Sequence, residues 1–123
     1  MKDSDQKNLD QLRAAAALKS AVGLDRSAIS KLPALILNNG LLAAAAFCDA
    51  EGGGDNRGHL KKALIATTKH LAARRIVASD TQDVKGLITD LSAKPSIHLQ
   101  RATVEALAYL AYLKRFADKI KAQ

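Results

Sequence analysis

From Leu9 onward, apolar residues return every three or four positions: Leu9, Leu12 and Ala16 are separated by Asp10, Gln11 and Arg13. That spacing lines one face of an α-helix. The polar Asp3, Ser4 and Asp5 offer N-caps for a helix running to about Val22, where Gly23 stops it. A second helix begins at Asp25 or Ser27 and carries Ile29, Leu32, Leu35 and Ile36, with Pro33 either in its first turn or bending it. Asn38, Asn39 and Gly40 are the residue types most tolerant of the left-handed backbone that ends helices. A third helix, from Leu41 to about Ala50, follows at once, and so short a junction folds the two sharply against each other. Residues 51 to 56 read Glu-Gly-Gly-Gly-Asp-Asn and predict a flexible loop, not a phosphate-binding P-loop, because no strand precedes and no Gly-Lys-Ser/Thr follows. A fourth helix is expected from about Asn56 or Arg57 to Ile76 or Val77, with Leu60, Leu64, Thr67 and Leu71 inward. Ser79 to Thr81 cap a short fifth through Val84, Leu87, Ile88 and Leu91; Lys94 and Pro95 end it, and Ser96 opens a last helix ending near Lys121. No period of 20 to 50 residues repeats. The expected fold is all-α: a single compact bundle of five to six helices, one domain over residues 1–123.

Composition agrees with the periodicity. Alanine and leucine dominate, and proline occurs only at positions 33 and 95. An apolar share of 48% with 25% charged residues argues for a folded chain. At this length folding buries roughly two-thirds of the unfolded chain's surface. Cys48 has no intrachain disulfide partner, which fits a reducing cytoplasm. Residues 1–8 hold Lys2, Asp3, Asp5 and Lys7 without an apolar run, so no secretory signal is expected there. The longest apolar stretch, Gly40 to Cys48, is far below the ~18 residues of a membrane span, so no membrane partner is expected.

Charge changes the picture more than composition does. The chain carries a formal +7, but residues 1–55 hold 6 basic and 7 acidic side chains while residues 56–123 hold 13 and 5. Such segregation presents a field that favours a polyanionic partner such as nucleic acid. On a 100° wheel, Ala102, Tyr109, Leu113, Phe116 and Ile120 form the core face of the last helix, with Leu99, Ala106 and Ala117 beside them. Arg101, Arg115 and Lys119 gather on another side with Ala108 and Tyr112, while Lys114 and Lys121 lie across the core from them. On the fourth helix Lys62 and Lys69 stand in line, about 10 Å apart, opposite the leucines. Arg74 and Arg75 add charge at that helix's negative end. Arg101, Arg115, Lys119, Lys62 and Lys69 are therefore the candidate nucleic-acid-binding residues on charge, although a solvated helix face would show the same lysines. With no Trp and only Phe47, Tyr109, Tyr112 and Phe116 aromatic, backbone contact is expected rather than base stacking, Tyr112 being the sole stacking candidate.

Catalytic chemistry has little to work with. His59 and His70 share a helix face, but eleven residues at 1.5 Å each put them about 16 Å apart, too far to share a metal ion. Cys48 sits in an alanine-rich helix without a nearby histidine and reads as a small buried hydrophobe. Asp49 and Glu51 read as a solvated helix end rather than an acid–base pair, and no Ser-His-Asp signature occurs. The expectation is a non-enzyme without cofactor or metal.

Two runs are distinctive. Lys31-Leu32-Pro33-Ala34-Leu35-Ile36-Leu37-Asn38-Asn39-Gly40-Leu41-Leu42, followed by an Ala-rich helix to Phe47, resembles the small subunit of type III-B CRISPR effector complexes, the Cmr small-subunit family. The closing run Arg101-Ala102-Thr103, Glu105-Ala106-Leu107 and Leu113-Lys114-Arg115-Phe116-Ala117 is similar to that family's last helix. The resemblance implies a small all-α, non-catalytic protein that stacks head to tail beside a filament of repeat-associated backbone subunits. It implies a Cas10-type large subunit in the same assembly, and a channel holding guide RNA paired with single-stranded target RNA. Leu32, Pro33, Asn38, Asn39 and Gly40 would then be structural, and Lys114 and Arg115 would lie at the RNA channel; Lys62 and Lys69 rest on charge alone. The small subunit of the sister type III-A complex would share the function without the Leu-Pro-Asn-Asn-Gly run. From a different class, a helical adaptor docking an acidic protein through the same basic face is the competing reading.

Overall fold

The computed structural model describes residues 7–50 and 54–121, with the backbone alone described at 55–56 and 118–121. Six helices pack as a compact bundle: α1 Leu9–Ser20, α2 Arg26–Asn39, α3 Leu41–Asp49, α4 Gly54–Ala73, α5 Val84–Ser92 and α6 Ser96–Lys121. No strand occurs among the described residues. α6 packs against α1, α2 and α4, while α3 lies on α5, α2 and α4.

Local chemistry sets the helix starts. α1 opens with a capping box, in which Asn8 Oδ1 accepts the Gln11 N–H at 2.8 Å and Gln11 Oε1 accepts the Asn8 N–H at 2.9 Å. The cap is therefore Asn8; Asp3, Ser4 and Asp5 lie outside the described residues. Asp25 caps α2 through the Ala28 N–H. Asp83, rather than Ser79 to Thr81, caps α5 by accepting the Gly86 N–H at 2.7 Å. Thr81 is instead drawn into the core.

Two junctions differ in how they turn. Gly40 serves as C-cap of α2 and N-cap of α3 with φ 90° and ψ 156°, a region that a Cβ all but excludes. Its N–H still donates to Ile36 O, and Asn39 Nδ2 donates to Leu35 O, so these two carbonyls of the last turn are satisfied. α4, by contrast, stops at Ala73 and not at Ile76 or Val77. Arg75 adopts φ 60° and the Ile76 N–H reaches back to Leu71 O, closing the helix without a glycine. The turn drives the β-branched Ile76 and Val77 into the core, and their burial holds the left-handed arginine in place.

Pro33 sits in the interior of α2, not in its first turn, and removes the donor that Ile29 O would otherwise receive. The helix continues because Ile29, Leu32 and Ile36 are all sealed in the core. On α1 the sealed residue is Ala17; Leu9, Leu12 and Ala16 are half-buried, so the contact stripe is rotated from the one the spacing predicts. Leu60, Leu64, Thr67 and Leu71 of α4 face inward as expected. Ala17, Ala28, Ala44, Ala45, Ala63, Ala102 and Ala106 are fully buried, and such small contact residues let helix axes approach closely. Residues 51–53 of the expected glycine loop lie outside the described residues, while 54–56 already belong to the first turn of α4.

Candidate nucleic-acid interface

The cationic candidates lie on the outside of α4 and α6. Arg101, Lys114 and Arg115 on α6 and Lys62 and Lys69 on α4 are exposed, and none forms an ion pair among the described residues. The Lys119 side chain lies outside them. Other cations are engaged: Lys61 pairs with Asp49 at 3.1 Å, Lys94 with Asp90 at 2.7 Å, and Arg13 with Glu105 at 2.8 Å. Arg57 stacks its guanidinium 4.2 Å above the Phe47 ring, joining α4 to α3. Lys19, Lys31, Arg75 and Lys85 are likewise exposed without an ion pair among the described residues, so uncompensated charge extends beyond the two basic stripes. Leu32 is fully buried, Pro33 is half-buried, and Asn38, Asn39 and Gly40 form the exposed α2–α3 corner.

Near the C-terminal end of α6, Ala111, Tyr112, Arg115 and Phe116 line an open hollow of about 390 Å³. The Tyr112 hydroxyl donates to Asp10 Oδ1 across the α1–α6 seam. That hydrogen bond, with Asp10's charge, raises the phenol pKa above its ordinary value. Phe116 is half-buried, not sealed in the core face, and so contributes a wall to this hollow.

A second polar cluster escaped the sequence reading. Glu105, buried on the core side of α6, accepts from Arg13 Nε at 2.9 Å, from Arg13 Nη2 at 2.8 Å and from His70 Nε2 at 2.8 Å. The His70 ring stacks on Tyr109 with centroids 4.4 Å apart. Burial works against the Glu105 charge, but the Arg13 and His70 hydrogen bonds outweigh it and hold the carboxyl below its ordinary pKa. Burial dominates at His70, lowering its pKa despite Glu105, so a neutral imidazole donates from Nε2. The Glu105 hydrogen bond raises the Arg13 pKa. With the His70 side chain 2% exposed and both Glu105 oxygens engaged, the pair is closed to substrate and ties α1, α4 and α6 together. The one signal in the sequence was Glu105 itself, a lone acid three residues after Ala102 and four before Tyr109 on an otherwise apolar face.

Cys48 is buried, which pushes its thiol up to about 11 and leaves it unreactive. Among the described residues no three His, Cys, Asp or Glu side chains converge as metal ligands would, and no helix is long and apolar enough to cross a membrane.

Fold and surface together define an all-α bundle with a closed polar cluster inside its apolar core and exposed cations on the outward faces of α4 and α6. The model of the family described as CRISPR-associated protein (Cas_Cmr5) matches residues 9–120, and the chain belongs to this family. Membership implies a subunit of a type III-B CRISPR effector complex, in a family that is generally a non-catalytic component of it. The chain is also similar to a CRISPR-associated Cmr5 family protein from Thermus thermophilus, known from an X-ray crystal structure. That likeness, at 24% identity and TM-score 0.68 over 93% of this chain and 97% of the other, shows the shared fold. Comparison with curated proteins gives no match.

Proposed function

We propose that this chain is a non-catalytic scaffold of the cytoplasmic effector complex. In this reading copies stack head to tail beside the repeat-associated backbone subunits, in an assembly with the Cas10-type large subunit, and line the channel for guide RNA and target RNA. The carrying observation is that Arg101, Lys114, Arg115, Lys62 and Lys69 stand exposed on α4 and α6 without an ion pair among the described residues, whereas Lys61 and Lys94 are neutralised. Sequence is supplied by guide–target pairing in RNA-guided effectors, so the scaffold needs positive charge to hold the backbone and no base-reading apparatus. Stacking needs two different surfaces that extend rather than close. Leu18, Val22 and Leu37 in the near-neutral first half are exposed, as are Ile97 and Val104 on α6, and they supply apolar area for such contacts.

The test is capture of target RNA by the assembled complex carrying Arg101→Glu and Arg115→Glu. Both residues are exposed, so the fold stays intact while capture falls and its salt dependence becomes shallower. Unchanged capture at every salt concentration would overturn the assignment and favour an adaptor that docks an acidic protein.

A further inference from the structure

The hollow on α6 goes beyond backbone attraction. Tyr112 and Phe116 are four residues apart and form one row; Ala111 and Arg115 form the next. The small Ala111 leaves a gap beside the rings, and the guanidinium of Arg115 stands at its rim without an ion pair among the described residues. The hydroxyl bond to Asp10 anchors Tyr112 to a second helix, so little side-chain freedom is lost when a flat group settles on the ring. No carboxylate lines the hollow among the described residues. Lys114 is adjacent in sequence, and Arg101 lies fourteen residues earlier on the same side, about 21 Å along the helix. A volume of about 390 Å³ is in the range of small-ligand sites, roughly 300–1,000 Å³. An immobilised aromatic wall, a gap and a cation at the rim match an unpaired nucleobase with its phosphate, whereas the exposed Leu18, Val22 and Leu37 lie outside α6, and Ile97 and Val104 continue the same α6 face toward its start.

We propose that this hollow seats one unpaired base of single-stranded RNA, the base against Tyr112 and Phe116 and the adjoining phosphate on Arg115. The site rests on the RNA-contact reading above and adds base stacking to it. Stacking tolerates any base, because every base has a π-face.

The scarcity of aromatic residues makes the test direct. The full chain is titrated by NMR with a twelve-residue oligouridylate and with an abasic ribose-phosphate strand of equal length, following the ring signals of Tyr112 and Phe116. Oligouridylate should move both ring signals upfield, and the abasic strand should leave them in place while shifting Arg101, Lys114 and Arg115. Ala111→Leu fills the gap from an exposed position and leaves Tyr112 bonded to Asp10. It should weaken oligouridylate binding about 5- to 150-fold, the range for losing one stacked base, and leave abasic binding unchanged. Equal binding of both strands, unaltered by Ala111→Leu, would overturn the seat and leave the backbone reading standing. No shift at any of these residues would overturn both. Concentration-dependent self-association abolished by Ala111→Leu, without ring shifts on RNA addition, would assign the hollow to a second copy and also overturn the proposal.

Discussion

Glu105→Gln tests how three long-range polar contacts hold the bundle. The substitution keeps shape and removes one charge. In the folded protein Glu105 accepts three hydrogen bonds, two from Arg13 and one from His70. The glutamine amide retains one acceptor oxygen and turns its NH₂ toward donors, so at least one donor loses its partner and the Arg13 cation loses its counter-ion. Breaking a buried ion pair by removing one partner costs about 3–5 kcal/mol. The Arg13 side chain is 19% exposed against 7% for Glu105, and water reaching the guanidinium reduces the loss to about 2–3 kcal/mol. For a chain of this size that is a fall in Tm of roughly 8–12 °C, at about 4 °C per kcal/mol. Thermal and urea melts followed by circular dichroism measure it. The pH profile supplies an independent readout. His70 and Glu105 both have folded pKa values below their unfolded values of 6.5 and 4.5. The unfolded chain therefore binds protons first, and stability is full above pH 6.5 and falls as acid is added, first through His70 and then through Glu105. Glu105→Gln should remove the lower part of that decline. A variant melting within about 2 °C of the wild type, with the acid profile unchanged, would refute the view that this cluster fastens α1 and α4 to α6.

Three further outcomes follow from the fold. Gly40→Ala should cost about 1–3 kcal/mol, because φ 90° with ψ 156° is strained for any residue with a Cβ, although open space surrounds the position; urea midpoints measure it. Leu113→Asp places a charge at a fully buried site of α6 and should cost more than about 4 kcal/mol, enough to abolish the cooperative melt. Cys48 should react with a thiol reagent at neutral pH only as fast as the chain opens, since burial and a pKa of about 11 withhold the thiolate; rapid stoichiometric labelling of the folded protein would contradict its placement.

Much of the fold was written locally. The 3.6-residue spacing through Leu60, Leu64, Thr67 and Leu71 identified the buried face of α4, and Pro95 with Ser96 marked the start of α6, because periodicity and punctuation act within a few residues. Asn8 and Asp83, rather than the expected neighbours, became caps because an upstream polar run offers several equivalent oxygens, and the one that caps depends on where packing starts the helix. Arg75 carried no turn signal, since a left-handed arginine is held by the burial of Ile76 and Val77 after it. The cationic residues were legible as charge. That Lys61 and Lys94 are neutralised while Lys62 and Lys69 are not depends on which carboxylate arrives from elsewhere.

By itself, then, the amino-acid sequence determined an all-α bundle of five to six helices, the Gly40 corner, the basic second half and the family resemblance, all features set by residues adjacent along the chain. Only the tertiary structure decided that Glu105 meets Arg13 and His70 across 92 and 35 residues of chain, and that Tyr112 is pinned by Asp10 beside an open hollow. A partner that far away leaves no periodic trace: its identity is fixed when α1 and α4 close on α6, through apolar burial that has no direction of its own, and the polar groups carried along must then find one another.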